Sequence, residues 1–186
     1  MRKLKLIEYV TLDGVTEDPG PTGDLKHRGW TLPYWNDEMA EAQSRELFAS
    51  DTLLLGRVTY DEFVAAWPLR SGDPFTDKMN SMRKVVVSHD TTRPLQWNAT
   101  YLEGDVVDAV KKLKQNSGDD ILVYGSSTLV NTLMHHQLID EYRFIIYPLF
   151  LGEGRQFFQR GAYKMGLRLK SATTTQKGVT LLTYGA

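Results

Sequence analysis

Two short stretches carry residue types suited to holding an anion. Gly56-Arg57-Val58-Thr59 follows one brief apolar run, and Gly125-Ser126-Ser127-Thr128 follows another. A helix that starts directly after a strand leaves its first backbone N–H groups without intrahelical partners, and the helix dipole adds positive potential there. Hydroxyls at Thr59, Ser126, Ser127 and Thr128 would stand beside such groups, so each stretch offers a place for a phosphate. Gly56, without a Cβ, lets a backbone or a ring approach closely, and Arg57 adds a permanent planar cation matched to phosphate. For the second stretch the alternative is a tight turn with Ser126 or Ser127 as N-cap. The spacing is neither GxGxxG nor GxxxxGK[ST], so this is not a standard dinucleotide fingerprint or a P-loop.

Between these stretches Ser88 and His89 follow the β-branched run Arg83–Val87, where polar groups could meet a ribose or its phosphate. Two phosphate-compatible helix starts with polar residues between them suit a dinucleotide such as NADPH. Hydride transfer from such a cofactor needs a flat partner held against it, water excluded, and a proton source. Asp13, at the end of the first apolar run, is the candidate proton source or substrate-orienting acid, and Asp13-Gly14 is also a common turn pair. Trp30, Trp35 and Trp67 could stack on a flat substrate or fill the core. Glu38 and Glu153, the latter in a Gly-flanked LGEG loop, are further candidates for substrate contact. His135 and His136 are adjacent on a helical pattern and diverge by about 100°. With no His-x-x-x-His arrangement, no metal site is expected.

The elements that must position these residues read in order. A first strand spans Lys3–Thr11, and a Pro- and Gly-rich loop (13–33) reads as a lid or as a surface excursion with one Trp pinned to the core. A helix capped by Asn36 or Asp37 runs to about Ala49, a strand covers Asp51–Leu55, and a helix from Gly56 reaches Trp67. A short helical piece begins at Pro74, and Arg83–Ser88 reads as a central strand. A small strand near Thr100–Leu102 precedes a helix capped by Asp105. The strand Ile121–Tyr124 and a helix through Met134 follow. Asp140–Leu149 is a strand, and Leu167–Thr174 with Val179–Tyr184 forms a hairpin around Lys177-Gly178. Strands alternating with helices predict an α/β fold with a mostly parallel sheet covered on both faces, plus antiparallel strands at the C-terminal end. Ligands in such sheets sit outside the carboxyl ends of the strands, where Gly56, Ser88 and Gly125 all fall.

Composition narrows the classes. A chain of 186 residues with 41% hydrophobic and 24% charged residues reads as one globular domain, 1–186. The net charge of -1 gives no reason to expect nucleic acid or an anionic membrane as a partner. No apolar run approaches the ~20 residues of a membrane span, and Lys5 and Glu8 interrupt the N-terminal run, which therefore lacks a signal-peptide core. Zero cysteines exclude disulfides, thiol catalysis and cysteine metal sites. A cytoplasmic protein is expected. A homodimer is expected too, because the terminal hairpin and the segment Phe144–Leu151 are apolar enough to pack a sheet edge.

Six segments together carry a family resemblance: TLDG (11–14), DTLLLGRVTYDEF (51–63), KVVVS (84–88), ILVYGSSTLVNTLM (121–134), LIDEYRFIIYPLFLGEGRQFF (138–158) and GVTLLTY (178–184). The chain resembles the dihydrofolate reductase-like superfamily, in the branch related to the C-terminal reductase domain of the riboflavin-biosynthesis enzyme RibD. The resemblance implies a three-layer αβα fold and an NADPH-dependent reductase acting on a small heteroaromatic, pyrimidine- or pterin-like substrate, as in 5-amino-6-(5-phosphoribosylamino)uracil reduction. It implies that Arg57, Thr59, Gly125, Ser126 and Thr128 hold the cofactor, with Ser88 and His89 at its adenosine end. Dihydrofolate reductases proper carry an acid just after a Leu-Pro pair, whereas Leu32-Pro33 here is followed by Tyr34-Trp35-Asn36, with Asp37, Glu38 and Glu41 the nearest acids. The zinc deaminase half of the riboflavin enzyme has no counterpart in a chain without cysteine. A catalytically silent nucleotide-binding module on the same fold is the alternative.

Overall fold

The structure, a computed structural model, describes residues 1–157 and 164–186; Phe158, the last residue of one family-like segment, lies outside them. Eight strands form one sheet: β1 (Leu4–Thr11), β2 (Ser50–Gly56), β3 (Arg83–Val87), β4 (Ala99–Tyr101), β5 (Asp120–Tyr124), β6 (Glu141–Tyr147), β7 (Arg168–Thr174) and β8 (Thr180–Gly185). Their order is β4-β3-β2-β5-β1-β6-β8-β7. The first six pair in parallel, and β8 runs antiparallel to both β6 and β7.

Among the described residues, five α-helices cover the sheet: α1 (Asp37–Phe48), α2 (Arg57–Ala66), α3 (Pro74–Ser81), α4 (Val106–Gln115) and α5 (Ser127–His135). Successive side chains of a strand point to opposite faces, so each strand feeds two cores. Leu4, Leu6, Leu54 and Val123 meet Val110 and Leu113 of α4 and Leu129, Val130 and Leu133 of α5. Ile7, Leu53, Leu55, Leu122 and Tyr124 meet Met39 and Leu47 of α1, Tyr60 of α2 and Met79 of α3. The expected three-layer αβα arrangement is what forms. β1 lies between β5 and β6 with helices above and below, and seven of its eight residues are buried.

Charges at the N-terminal end of β1, β5 and β6 are matched. Lys5 on β1 meets Asp120 at 2.8 Å and Glu46 at 3.3 Å, while Arg143 reaches Glu46 at 2.7 Å. Glu141 accepts from Lys3 and Lys170.

Two expectations are corrected. Arg83–Val87 is not a central strand: β3 lies next to the edge, screened only by three-residue β4. Its β-branched residues report burial on both faces, which a penultimate strand also has. The terminal hairpin is not apolar throughout either, because all seven residues of β7 are exposed along the outer edge.

The long loop joins both of its expected readings. Trp30 is buried, its Nε1 donates to the Glu17 carbonyl at 2.8 Å, and its ring meets Tyr147 edge-on at 5.2 Å. That anchor holds Thr16–Pro19 over the C-terminal rim of the sheet, where they line a cleft.

Candidate functional site

Three helices begin with a conventional cap. Asn36 accepts from the Met39 amide, Asp73 from Thr76, and Asp105 from Val107 and Asp108. α2 and α5 do not: Gly56 and Ser126 occupy their N-cap positions without a side-chain hydrogen bond. These are the two helices separated from a strand's carboxyl end by two residues or fewer.

The two starts touch. A Cβ built on Gly56 would lie 1.8 Å from the Ser126 hydroxyl and 2.6 Å from its Cβ, so only glycine fits at that position. Gly125 and Ser126 both adopt left-handed backbone conformations, at φ 55° and 64°. For a non-glycine residue this costs about 1–2 kcal/mol; it removes Ser126 from conventional capping geometry and leaves the first turn of α5 open. Thr59 is buried, with its hydroxyl 3.6 Å from where a Gly125 Cβ would stand.

Above this junction lies an open cleft lined by Thr59, Gly125, Ser126, Ser127 and Thr128 together with Glu8, Tyr9 and Tyr124. Val58, Glu62 and Phe63 of α2, the loop residues Thr16–Pro19, and Arg155 complete it. The register between β1 and β5 ends at Ile7↔Tyr124, so the strands part there and the cleft straddles the gap.

Arg57 turns toward β3 and β4. Its Nε meets Asp61 at 3.0 Å, Nη1 donates to the Tyr101 hydroxyl at 2.7 Å, and the guanidinium lies 5.7 Å from the Tyr60 ring centre. Asp61 also receives Arg93 at 3.4 Å, and Arg93 stands 4.0 Å from Asp90, whose backbone N–H and carbonyl bond the Ser88 hydroxyl. Arg57 and Ser88 thus belong to one polar group at the far end of the rim, with His89 exposed beside it. The cofactor residues expected from sequence fall into two clusters, the junction under the cleft and this second group beside it.

Asp13 is placed differently from the expectation. Its carboxylate accepts from the Thr11 hydroxyl and from the amides of Gly152 at 2.7 Å and Leu151 at 3.2 Å, and it does not line the cleft. Partial burial works to raise its pKa, but these donors outweigh it and hold the carboxyl below its ordinary value. An acid so held fastens the loop after β6 to β1 and keeps its charge. Trp35, Glu38 and Glu153 are exposed and also lie outside the cleft lining. Glu38 accepts from the Gln176 amide at 2.9 Å, and the Trp35 carbonyl accepts from Lys177, so both brace the β7–β8 turn.

Sequence reasoning missed Glu8. It is 4% exposed on β1, its Oε2 has no hydrogen-bond partner, and burial pushes its pKa to about 8. The Tyr124 hydroxyl, in the same lining, is likewise buried without a partner and raised by burial. The signal was visible: one acid in the otherwise apolar run Leu6–Val10. Among the described residues no group of three or more His, Cys, Asp or Glu side chains is placed to hold a metal ion, and no helix is long and apolar enough to cross a membrane.

The fold is a three-layer α/β domain, and the chain belongs to the RibD C-terminal domain family, whose model matches residues 2–181. It is 31% identical over 188 residues to YyaP of Bacillus subtilis (strain 168), an uncharacterised protein, covering 98% of this chain and 94% of that one. Among solved structures it is similar to a Shewanella sp. PV-4 protein described as a candidate for riboflavin biosynthesis, with a TM-score of 0.77, 21% identity and 98% of each chain covered. It is also similar to dihydrofolate reductase of Enterococcus faecalis complexed with NADP(H), with a TM-score of 0.60, 15% identity, and 98% and 95% of the two chains covered. At those identities the likeness is one of fold.

Proposed function

We propose that the protein is an NADPH-dependent oxidoreductase that reduces a small heteroaromatic, pyrimidine- or pterin-like molecule. The observation that carries this reading is the pairing of uncapped helices. α2 and α5 leave their first turns without side-chain caps, touch through Gly56 and Ser126, and open on one cleft. An anion at a helix N-terminus is stabilised by the free amides and the dipole, so the pyrophosphate would lie between the two starts. Thr59, Ser126, Ser127 and Thr128 supply hydroxyls. Arg57, with Ser88 and His89 beyond it, would receive the phosphate that distinguishes NADPH from NADH. The orphaned polar atoms of Glu8 and Tyr124 fit a ligand rich in hydrogen-bonding groups. Bound there, the dinucleotide would supply a hydride. The Enterococcus reductase of the same fold, solved with NADP(H), supports the choice of cofactor.

A second reading, a nucleotide-binding module without catalysis, is favoured by one observation: the acid expected to act, Asp13, is locked as a loop anchor. Tryptophan fluorescence separates the outcomes, since Trp30 packs beside the cleft-lining loop. Saturable quenching by NADPH at micromolar concentration, weaker with NADH, is expected of both readings, and turnover of a pyrimidine or pterin substrate only of the first. Absence of quenching at millimolar NADPH would refute both.

A further inference from the structure

Among the described residues, buried carboxylates have partners, with one exception. Glu46 is held by Lys5 and Arg143, and Glu141 by Lys3 and Lys170. Glu8 is equally buried, and no cation reaches it among the described residues. An unpaired buried carboxylate is strongly disfavoured, so a fold that keeps such an acid keeps it neutral or gives it a ligand.

Its surroundings say which ligand. Glu8 lies one residue beyond Ile7↔Tyr124, the last β1–β5 pair, and is therefore level with Gly125 where the two strands separate. On its other side β1 stays paired, Glu8 with Phe144 of β6. Toward it α5 presents the uncharged Ser127 and Thr128, and the neighbouring titratable groups of the cleft are Tyr9, Tyr124, Glu17, Asp18, Glu62 and Arg155. Arg155 is engaged with Glu17 at 3.2 Å, and Asp18 accepts from the Leu25 amide at 2.8 Å. The tyrosines are held above their usual range by burial, which makes them reluctant acids. Glu62 is exposed at the mouth, where partial desolvation of its carboxyl and the nearby Asp18 hold its pKa above the ordinary value. Asp13 stays ionised outside the cleft. Among the described acids, Glu8 combines a place on the cleft floor with a carboxyl that carries its proton near neutral pH.

We propose that Glu8 is the proton donor of this cleft, and that its substrate carries a C=N or C=O bond whose nitrogen or oxygen faces that carboxyl. The inference rests on the reading of the cleft as a reduced-nicotinamide site. A hydride accepted at the carbon of such a bond drives the π electron pair onto the nitrogen or oxygen. That atom takes the proton from Glu8, whose O–H bond breaks to leave the carboxylate. Solvent returns the proton before the next turnover.

The test compares the full-length protein with Glu8→Gln, which keeps the shape and removes the acid. Isotope-edited infrared spectra are expected to show a protonated carboxyl band at pH 7 that disappears in Glu8→Gln, titrates near pH 8 and shifts when NADPH saturates the cleft. With a cyclic imine and a cyclic ketone as probes, Glu8→Gln is expected to lose about 100-fold or more in kcat, the range for general acid catalysis. Its dissociation constant for NADPH, from tryptophan quenching, moves less than about twofold, since a glutamine fills the same space. The wild-type kcat falls above about pH 8, whereas the variant is flat. Glu8 ionised at pH 7, a variant as fast as wild type, or a wild type that reduces neither probe would overturn the proposal while leaving the dinucleotide site intact. Failure of NADPH to bind would overturn the dinucleotide site, and the donor role with it.

Discussion

Gly56 ends β2 so close to Ser126 at the head of α5 that a methyl group on it would overlap the serine hydroxyl at 1.8 Å. Two turns separated by 70 residues in sequence are in this way built as one object. Gly56→Ala is expected to destabilise the fold by about 2 kcal/mol, in the range for overpacking a tight site, and to push α5 away from α2. The companion change Ser126→Gly removes both clashing atoms and suits the left-handed backbone at that position. Urea denaturation of the two single variants and the double variant should show the double recovering most of the loss, a coupling that independent sites would not give.

Arg57 makes a second, more selective prediction. A guanidinium beside a phosphate contributes charge-assisted hydrogen bonds, and Arg57 already stands in a group with Ser88, Arg93 and Asp61. Arg57→Ala should weaken NADPH by about tenfold or more and NADH by much less, as read by parallel titrations. Equal weakening of the two would place the extra phosphate elsewhere.

Glu8 should leave a mark on stability. Its pKa rises from an ordinary 4.5 to about 8 in the folded protein. Between those values the folded state binds more protons than the unfolded state, so the contribution is fully present below about pH 4.5 and is lost as pH rises through 8. At about 1.36 kcal/mol per unit, the loss by pH 9 is on the order of 5 kcal/mol. Glu8→Gln should match the wild type near pH 5 and exceed it increasingly toward pH 9 in ligand-free denaturation curves.

Asp13 has the opposite sign. Donors from Thr11, Gly152 and Leu151 hold its pKa down, so its contribution is present above the ordinary carboxyl range and is lost as pH falls through its lowered value. Asp13→Asn should cost about 1.5–3 kcal/mol, the range for hydrogen bonds to a charged group. NADPH affinity should stay within about threefold of wild type if the residue is an anchor rather than a cleft residue.

Much of this architecture was legible because local chemistry agreed with it. Apolar runs ending at Gly56 and Tyr124 gave two strands, Asn36 and Asp105 capped their helices as read, and the Lys177-Gly178 turn closed the hairpin. What stayed hidden depended on distant partners. Asp13 reads as a free acid until Leu151 and Gly152 arrive from 138 and 139 residues away. Ser126 reads as a cap until its φ of 64° and its contact with Gly56 are known. Trp35 and Glu38 sit where a substrate acid is expected, but the β7–β8 turn claims them. Glu8 was plain in sequence only as the charge that interrupts an apolar run; its meaning required knowing that β1 and β5 part at that point.

If the first turns of α2 and α5 receive a dinucleotide phosphate, a carboxylate placed there by Thr128→Asp should displace it. Thr128 is exposed in the first turn of α5 and lines the cleft. A carboxylate there complements the helix dipole, a gain of about 0.3–1 kcal/mol, and repels a bound phosphate. Calorimetric titration with NADPH, paired with a denaturation curve, should find the variant as stable as the wild type or more so, with affinity down about tenfold or more. Undiminished NADPH affinity in a folded Thr128→Asp protein would mean that no phosphate binds at this helix start.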